Sequence, residues 1–165
     1  MKKIWYLLRC PAGNETEYTE TYSKLVSPES PGEIVCFQYQ RMMRWGGMWH
    51  LEKRLLLPGY IFLSGTKRME AGEGCREAGG GAGPVSLTPC ESPYLKELCR
   101  DGALIDMSRG VIRRGGTVIT SGPLKGRESL IRRIDRHKRI AEIEIPLGGD
   151  KKRVIVGLEI YDKQE

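Results

Sequence analysis

The feature that most limits what this chain can fold into is a recurrence of apolar residues at every second position in its last third. Ala141, Ile143 and Ile145 alternate with Glu142 and Glu144, and Val154, Val156, Leu158 and Ile160 repeat the same period of two. That period puts the apolar side chains on one face of an extended strand and cannot build the stripe of a helix. Runs at 117–121, 130–135, 140–145 and 154–160 give several short strands, and a sheet that small protects its edges by curling. The expectation for this end of the chain is a small β-barrel.

The first part reads differently. Residues 4–8 are apolar on both faces, as in a strand at the middle of a covered sheet. Asn14 then predicts a helix start: its side chain can accept from first-turn amides, Glu17 stands at the capping-box position, and Tyr18, Tyr22 and Leu25 share a face. Pro28 and Pro31 end it. A strand over 34–40 follows, Gly46-Gly47 supplies the positive φ angles of a tight hairpin, and 49–57 returns. Pro58-Gly59 breaks the pattern before a strand at 60–63. Glycine and proline density over 69–93 predicts a mobile loop, and 94–100 has a short helical pattern with Gly102 as its stop. The fold class expected is α+β, with an N-terminal domain at 1–105, including the 69–93 loop, and a linker and barrel at 106–165.

Charge is unevenly spread. The formal net charge is +6 over 165 residues. Residues 1–105 hold 13 Lys and Arg against 12 Asp and Glu, whereas 106–165 hold 14 against 9. The second segment is therefore the electrostatic half and suits a polyanionic partner. The cysteines, Cys10, Cys36, Cys75, Cys90 and Cys99, form no CxxC pair, which favours a reducing, cytoplasmic setting over zinc or disulfide chemistry. The apolar run at 4–8 is too short for a signal-peptide core or a membrane span. Hydrophobic residues make up 39%, with two Phe and three Trp, so each core is thin and a large enzymatic cleft is not expected. His50 and His137 fall in different domains, and no glycine-rich phosphate loop leads from a strand into a helix. No catalytic site, metal or cofactor is expected.

Two basic stretches stand out. Arg41, Arg44, Trp45, Trp49, His50, Lys53 and Arg54 mix cations with rings, a combination that lets charges meet phosphates while rings stack bases. The competing reading is a solvated hairpin with one Trp in the core. Lys125, Arg127, Arg132, Arg133, Arg136, Lys138 and Arg139 crowd a short stretch in which Glu128 and Asp135 offer little offset. This cluster favours RNA with strongly salt-dependent binding; the alternative is a merely solubilising patch.

The stretch VITSGPLKGRESLIRRIDRHKRIAEIEI at 118–145 resembles a KOW motif, with Gly122 and Gly126 bracketing a turn, Pro123 fixing the next φ, and Lys125 and Arg127 offered outward. It departs from the motif where Gly115-Gly116 replaces a usual Gly-Asp and Ser129 a later glycine. WYLL at 5–8 and LLPGYIFL at 56–63 are similar to the signature of the NusG N-terminal domain, and together the likenesses cover nearly all of the chain outside the glycine-rich loop. Within that family the run at 122–139 and VGLEIYDK at 156–163 look most like specialised paralogues of the LoaP and RfaH kind.

The resemblance implies an N-terminal α/β sandwich, an antiparallel sheet with flanking helices, joined to an SH3-like KOW barrel. It implies binding to the clamp helices of the largest RNA polymerase subunit through Arg9, Leu56, Leu57 and Tyr60, although Leu56 and Leu57 read equally well as ordinary core. It further implies processive antitermination of selected operons and recognition of a nascent leader RNA, with non-template DNA, the ribosome or another termination factor as further partners, by a monomer that touches no membrane. The alternative from another class is an RNA-binding or ribosome-associated KOW protein that does not bind polymerase.

Overall fold

The structure, a computed structural model, describes residues 4–23, 33–65, 85–86, 92–99, 102–147 and 150–164. Contacts group the chain into two units, each built from separate stretches: 1–36, 57–93 and 147–150 in the first, 37–56, 94–146 and 151–165 in the second.

In the first unit, four strands form a sheet in the order β2-β5-β1-β6, with β1 Ile4–Arg9, β2 Ile34–Val35, β5 Tyr60–Gly65 and β6 Val85–Ser86. Every pairing is antiparallel, and β1 meets β5 in continuous register from Ile4↔Gly65 to Arg9↔Tyr60. The unbroken apolar run of β1 is explained by this central place. Leu8, Ile61 and Leu63 pack on one face with Tyr18, Ile34, Cys10 and Cys36, beneath helix α1 Glu15–Ser23, while Leu7 and Phe62 are buried on the other. The buried Ser64 hydroxyl is satisfied by the Glu33 amide.

The second unit holds two sheets. Strands β3 Gln38–Trp45 and β4 Met48–Leu55 form the expected hairpin across Gly46-Gly47, whose φ angles of 60° and 75° are those of a two-residue turn. A short β7, Leu104–Ile105, adds to β3 in parallel. Helix α2, Ser92–Leu98, places Leu95 and Leu98 in the core and is followed by Gly102 at φ 64°. The second sheet runs β10-β11-β12-β8-β9, from β8 Ser108–Arg113, β9 Gly116–Ser121, β10 Ile131–Asp135, β11 Ile140–Leu147 and β12 Asp150–Gln164. Ala141, Ile143, Ile145, Val154, Val156 and Leu158 are all buried, as their alternation requires. Among the described residues the pairings leave β9 and β10 as edges and do not close the expected barrel into a ring.

Several details depart from expectation. The strand expected at 34–40 is two strands, because Ile34 and Val35 pair with β5 whereas the chain from Gln38 onward pairs with β4 and β7. Strand β6 and its pairing with β1 lie inside the expected 69–93 loop; residues 66–84 and 87–91 lie outside the described residues, as do Leu25, Pro28 and Pro31. Helix α1 starts directly after Asn14, and just ahead of it the Glu15 carboxylate accepts the Gly13 amide.

Candidate functional site

Arg9 and Tyr60 stand opposite each other at the end of the β1–β5 ladder, with the guanidinium 5.3 Å from the ring centre. Arg9 is exposed and Tyr60 half-buried. The turn into β5 is closed by the Tyr60 amide donating to the Leu57 carbonyl (3.1 Å), and Cys10 N–H donates to the Gly59 carbonyl (2.9 Å). A buried carboxylate holds this loop from beneath: Glu15 accepts from Gly59 N–H at 2.8 Å and from Gly13 N–H at 3.0 and 3.1 Å. Burial pushes the Glu15 carboxyl up, but the amides of Glu15 itself, Gly59 and Gly13 outweigh that and hold it below its usual value. Leu56 and Leu57 are each only 5% exposed and belong to the core. The solvent-facing members of the set named from sequence are therefore Arg9 and Tyr60.

The β3–β4 register divides the basic hairpin between two faces. Cross-strand partners share a face, and faces alternate along each strand. Arg44, Trp49 and Lys53 thus lie on one side; Arg41, Trp45, His50 and Arg54 lie on the other. The rings expected to stack bases are already engaged. Trp45 and His50 stack at 3.4 Å and 8°, with a further contact of 3.1 Å between His50 Nε2 and the Trp45 carbonyl. Trp49 has the Arg139 guanidinium 4.0 Å from its ring centre and that of Arg44 at 6.0 Å. Arg54 pairs with Glu52 at 3.5 Å, and the buried Arg41 Nε has no hydrogen-bond partner among the described residues.

The second basic cluster is more neutralised than its sequence suggests, because its acidic partners come from distant stretches. Arg127 meets Glu97 at 3.8 Å, Arg132 meets Glu144 at 3.4 Å, and Arg139 meets Glu159 at 3.7 Å. Arg127 also donates to the Pro123 carbonyl, and Gly122 and Gly126 have the positive φ angles (97° and 79°) that the motif requires. Lys125, Arg133, Arg136 and Lys138 are exposed, with no ion pair among the described residues. The β10–β11 turn is fixed by Asp135, whose Oδ1 accepts the Lys138 amide at 3.0 Å. That amide bond is the main reason the Asp135 carboxyl lies below its usual value.

The two clusters meet. A cleft of about 610 Å³ is lined by Arg41, Arg44 and Trp49 from the hairpin and by Arg136, Lys138 and Arg139 from the β10–β11 turn. Comparison with known proteins returns no matching family model and no matching curated protein. A solved structure described as "Domain interaction in Thermotoga maritima NusG" is similar over 95% of this chain and 94% of that one, at 20% identity and a TM-score of 0.46.

Sequence reasoning passed over other groups near these surfaces. Arg109 lies 4.8 Å from the Tyr161 ring centre and pairs with Glu159 at 3.4 Å. Arg113 and Arg114 are exposed at the β8–β9 turn, where an RRGG run was the available signal. His137 also lines the cleft, within a turn already rich in cations. Among the described residues no group of His, Cys, Asp and Glu could hold a metal ion, and no helix is long and apolar enough to cross a membrane.

Proposed function

We propose that the chain is a NusG-type transcription elongation factor, specialised for processive antitermination of selected operons and acting without a catalytic site of its own. The observation that carries this reading is the pairing of Arg9 with Tyr60. The two stretches resembling the NusG signature, 5–8 and 56–63, are far apart in sequence, yet Arg9, directly after the first, and Tyr60, within the second, stand side by side at one strand end. A phenol suits a contact that is apolar with a wet margin, and an arginine beside it adds hydrogen-bonding reach. RNA polymerase, through the clamp helices of its largest subunit, is the partner of that surface. Leu57, whose carbonyl accepts the Tyr60 amide, supports it from the core. The basic groups of the hairpin and of the β10–β11 turn engage nascent RNA or non-template DNA through phosphates.

The test is capture of the full chain by isolated clamp helices, together with terminator readthrough by purified polymerase. Tyr60→Asp is expected to weaken capture at least tenfold and to abolish any gain in readthrough. Undiminished capture by the variant would remove the proposed contact. A second reading, an RNA-binding or ribosome-associated protein that ignores polymerase, is favoured by the concentration of positive charge in 106–165. It is told apart by RNA binding without any clamp-helix binding.

A further inference from the structure

We infer that the cleft between the β3–β4 hairpin and the β10–β11 turn is a single phosphate clamp, in which both basic segments grip one strand of nucleic acid through its backbone. This rests on the nucleic-acid part of the function proposed above and replaces two independent basic surfaces with one composite site.

Three observations converge. First, Arg44, Arg136 and Lys138 line the cleft without an ion pair among the described residues, although acidic partners serve Arg127, Arg132 and Arg139. Gathering like charges around one space is unfavourable until an anion enters. Second, the turn is built to hold its cations in place. Asp135 accepts the Lys138 amide, Arg139 adopts φ 55°, and its guanidinium sits 4.0 Å from the Trp49 ring centre with Glu159 3.7 Å from its Nη1. An arginine held by an indole and a carboxylate loses little freedom when it binds a phosphate. Third, Trp49 has guanidinium groups as neighbours, so its role is to seat Arg139 and not to stack a base. With no free ring at its centre, the cleft reads phosphates and tolerates any base sequence. At about 610 Å³ it has the size of a small-ligand site and takes a short stretch of one strand.

The test uses the full chain and a fluorescein-labelled 12-nucleotide single-stranded RNA of mixed sequence, with the DNA of the same sequence as a second probe, followed by anisotropy at two salt concentrations. Arg44→Ala and Arg136→Ala should each weaken binding about tenfold and lower the salt slope by about one. Because both side chains act on the same strand in one cleft, the double variant should fall short of the product of the single effects by at least about threefold. Arg114→Ala, at the β8–β9 turn outside the cleft, should combine with Arg44→Ala as a simple product. Trp49→Leu should weaken binding as much as Arg139→Ala and create no preference between purine-rich and pyrimidine-rich probes. RNA and DNA should bind within about threefold of each other, as backbone recognition requires.

Simple multiplication of Arg44→Ala with Arg136→Ala, a base preference altered by Trp49→Leu, or a preference above tenfold for one sugar would overturn the clamp while leaving nucleic-acid binding intact. Absence of binding by the unaltered chain at low salt would instead remove the underlying function. All variants lie on exposed or half-buried positions, and circular dichroism is the control that each is folded.

Discussion

Replacing Glu15 tests how the loop that carries Tyr60 is held. Its carboxylate is buried and accepts from two stretches of backbone, Gly13 and Gly59. Gly13 is exposed, so water can replace its partner; Gly59 is buried and its N–H would be stranded. A hydrogen bond to a charged group contributes about 1.5–3 kcal/mol, and a buried donor left unpaired costs about 1–3 kcal/mol. Glu15→Ala is therefore expected to destabilise the chain by about 3 kcal/mol, mainly through Gly59, and Glu15→Gln, which keeps a neutral acceptor, by about 1–2 kcal/mol. Against a typical stability of about 5–15 kcal/mol these losses are easily resolved by urea denaturation followed by circular dichroism.

The pH dependence sharpens the test. The folded carboxyl titrates below its ordinary value of 4.5, so its contribution is complete above that pH and is lost as pH falls through the folded pKa. Glu15→Gln has no such titration. The stability gap between the two proteins should be constant from pH 7 to about 5 and close on further acidification. A gap that persists unchanged to pH 3, or an unaltered denaturation midpoint for Glu15→Ala at pH 7, would refute the reasoning.

Three further outcomes follow from the same structure. A Cβ on Gly157 would fall on the Gln40 carbonyl oxygen and the Met107 sulfur, so Gly157→Ala should cost about 3 kcal/mol, whereas Gly116→Ala, which meets only an ordinary contact, should change the urea midpoint little. Asp135→Ala adds net positive charge beside Arg136 and Lys138 yet loosens the turn that presents them; oligonucleotide affinity should fall, and a rise would show that charge count outweighs geometry. Burial pushes the Cys99 thiol up to about 11, so at pH 8 only about one in a thousand is thiolate, and mass spectrometry should find it unalkylated by iodoacetamide until urea is added.

Much of the fold was legible because it depends on local period and punctuation. The alternation of Ala141 to Ile145 set β11, the unbroken run of β1 announced a covered central strand, and Gly46-Gly47 located the hairpin turn. What escaped depends on partners distant in sequence. Strands β6 and β7 are two residues each and exist only because β1 and β3 offer open edges to pair with. The division of hairpin residues between two faces follows from register, and the neutralisation of Arg127, Arg132 and Arg139 comes from glutamates on other elements. Asn14 marked the start of the helix, but nothing local could show that the buried Glu15 carboxylate reaches the Gly59 amide, 44 positions away. Nothing in composition could show that the Trp49 ring is paired with Arg139, 90 positions away, because that contact arises from tertiary folding alone.

The parallel pairing of β12 with β8 has a bearing on how the protein matures in a cell. Ser108 lies against Leu158, fifty positions later, and β12 also joins β11, so the five-stranded sheet has no middle until its final strand has been synthesised. Until then the β8–β9 and β10–β11 hairpins wait as separate pieces with unpaired edges, a slow and association-prone interval for any nascent polypeptide. The β1–β5 ladder, by contrast, is complete as soon as Gly65 has left the ribosome, before any strand of the five-stranded sheet exists. Maturation is thus staggered, with the strand end that carries Arg9 and Tyr60 formed well before the cation-rich sheet can close around its last-made member.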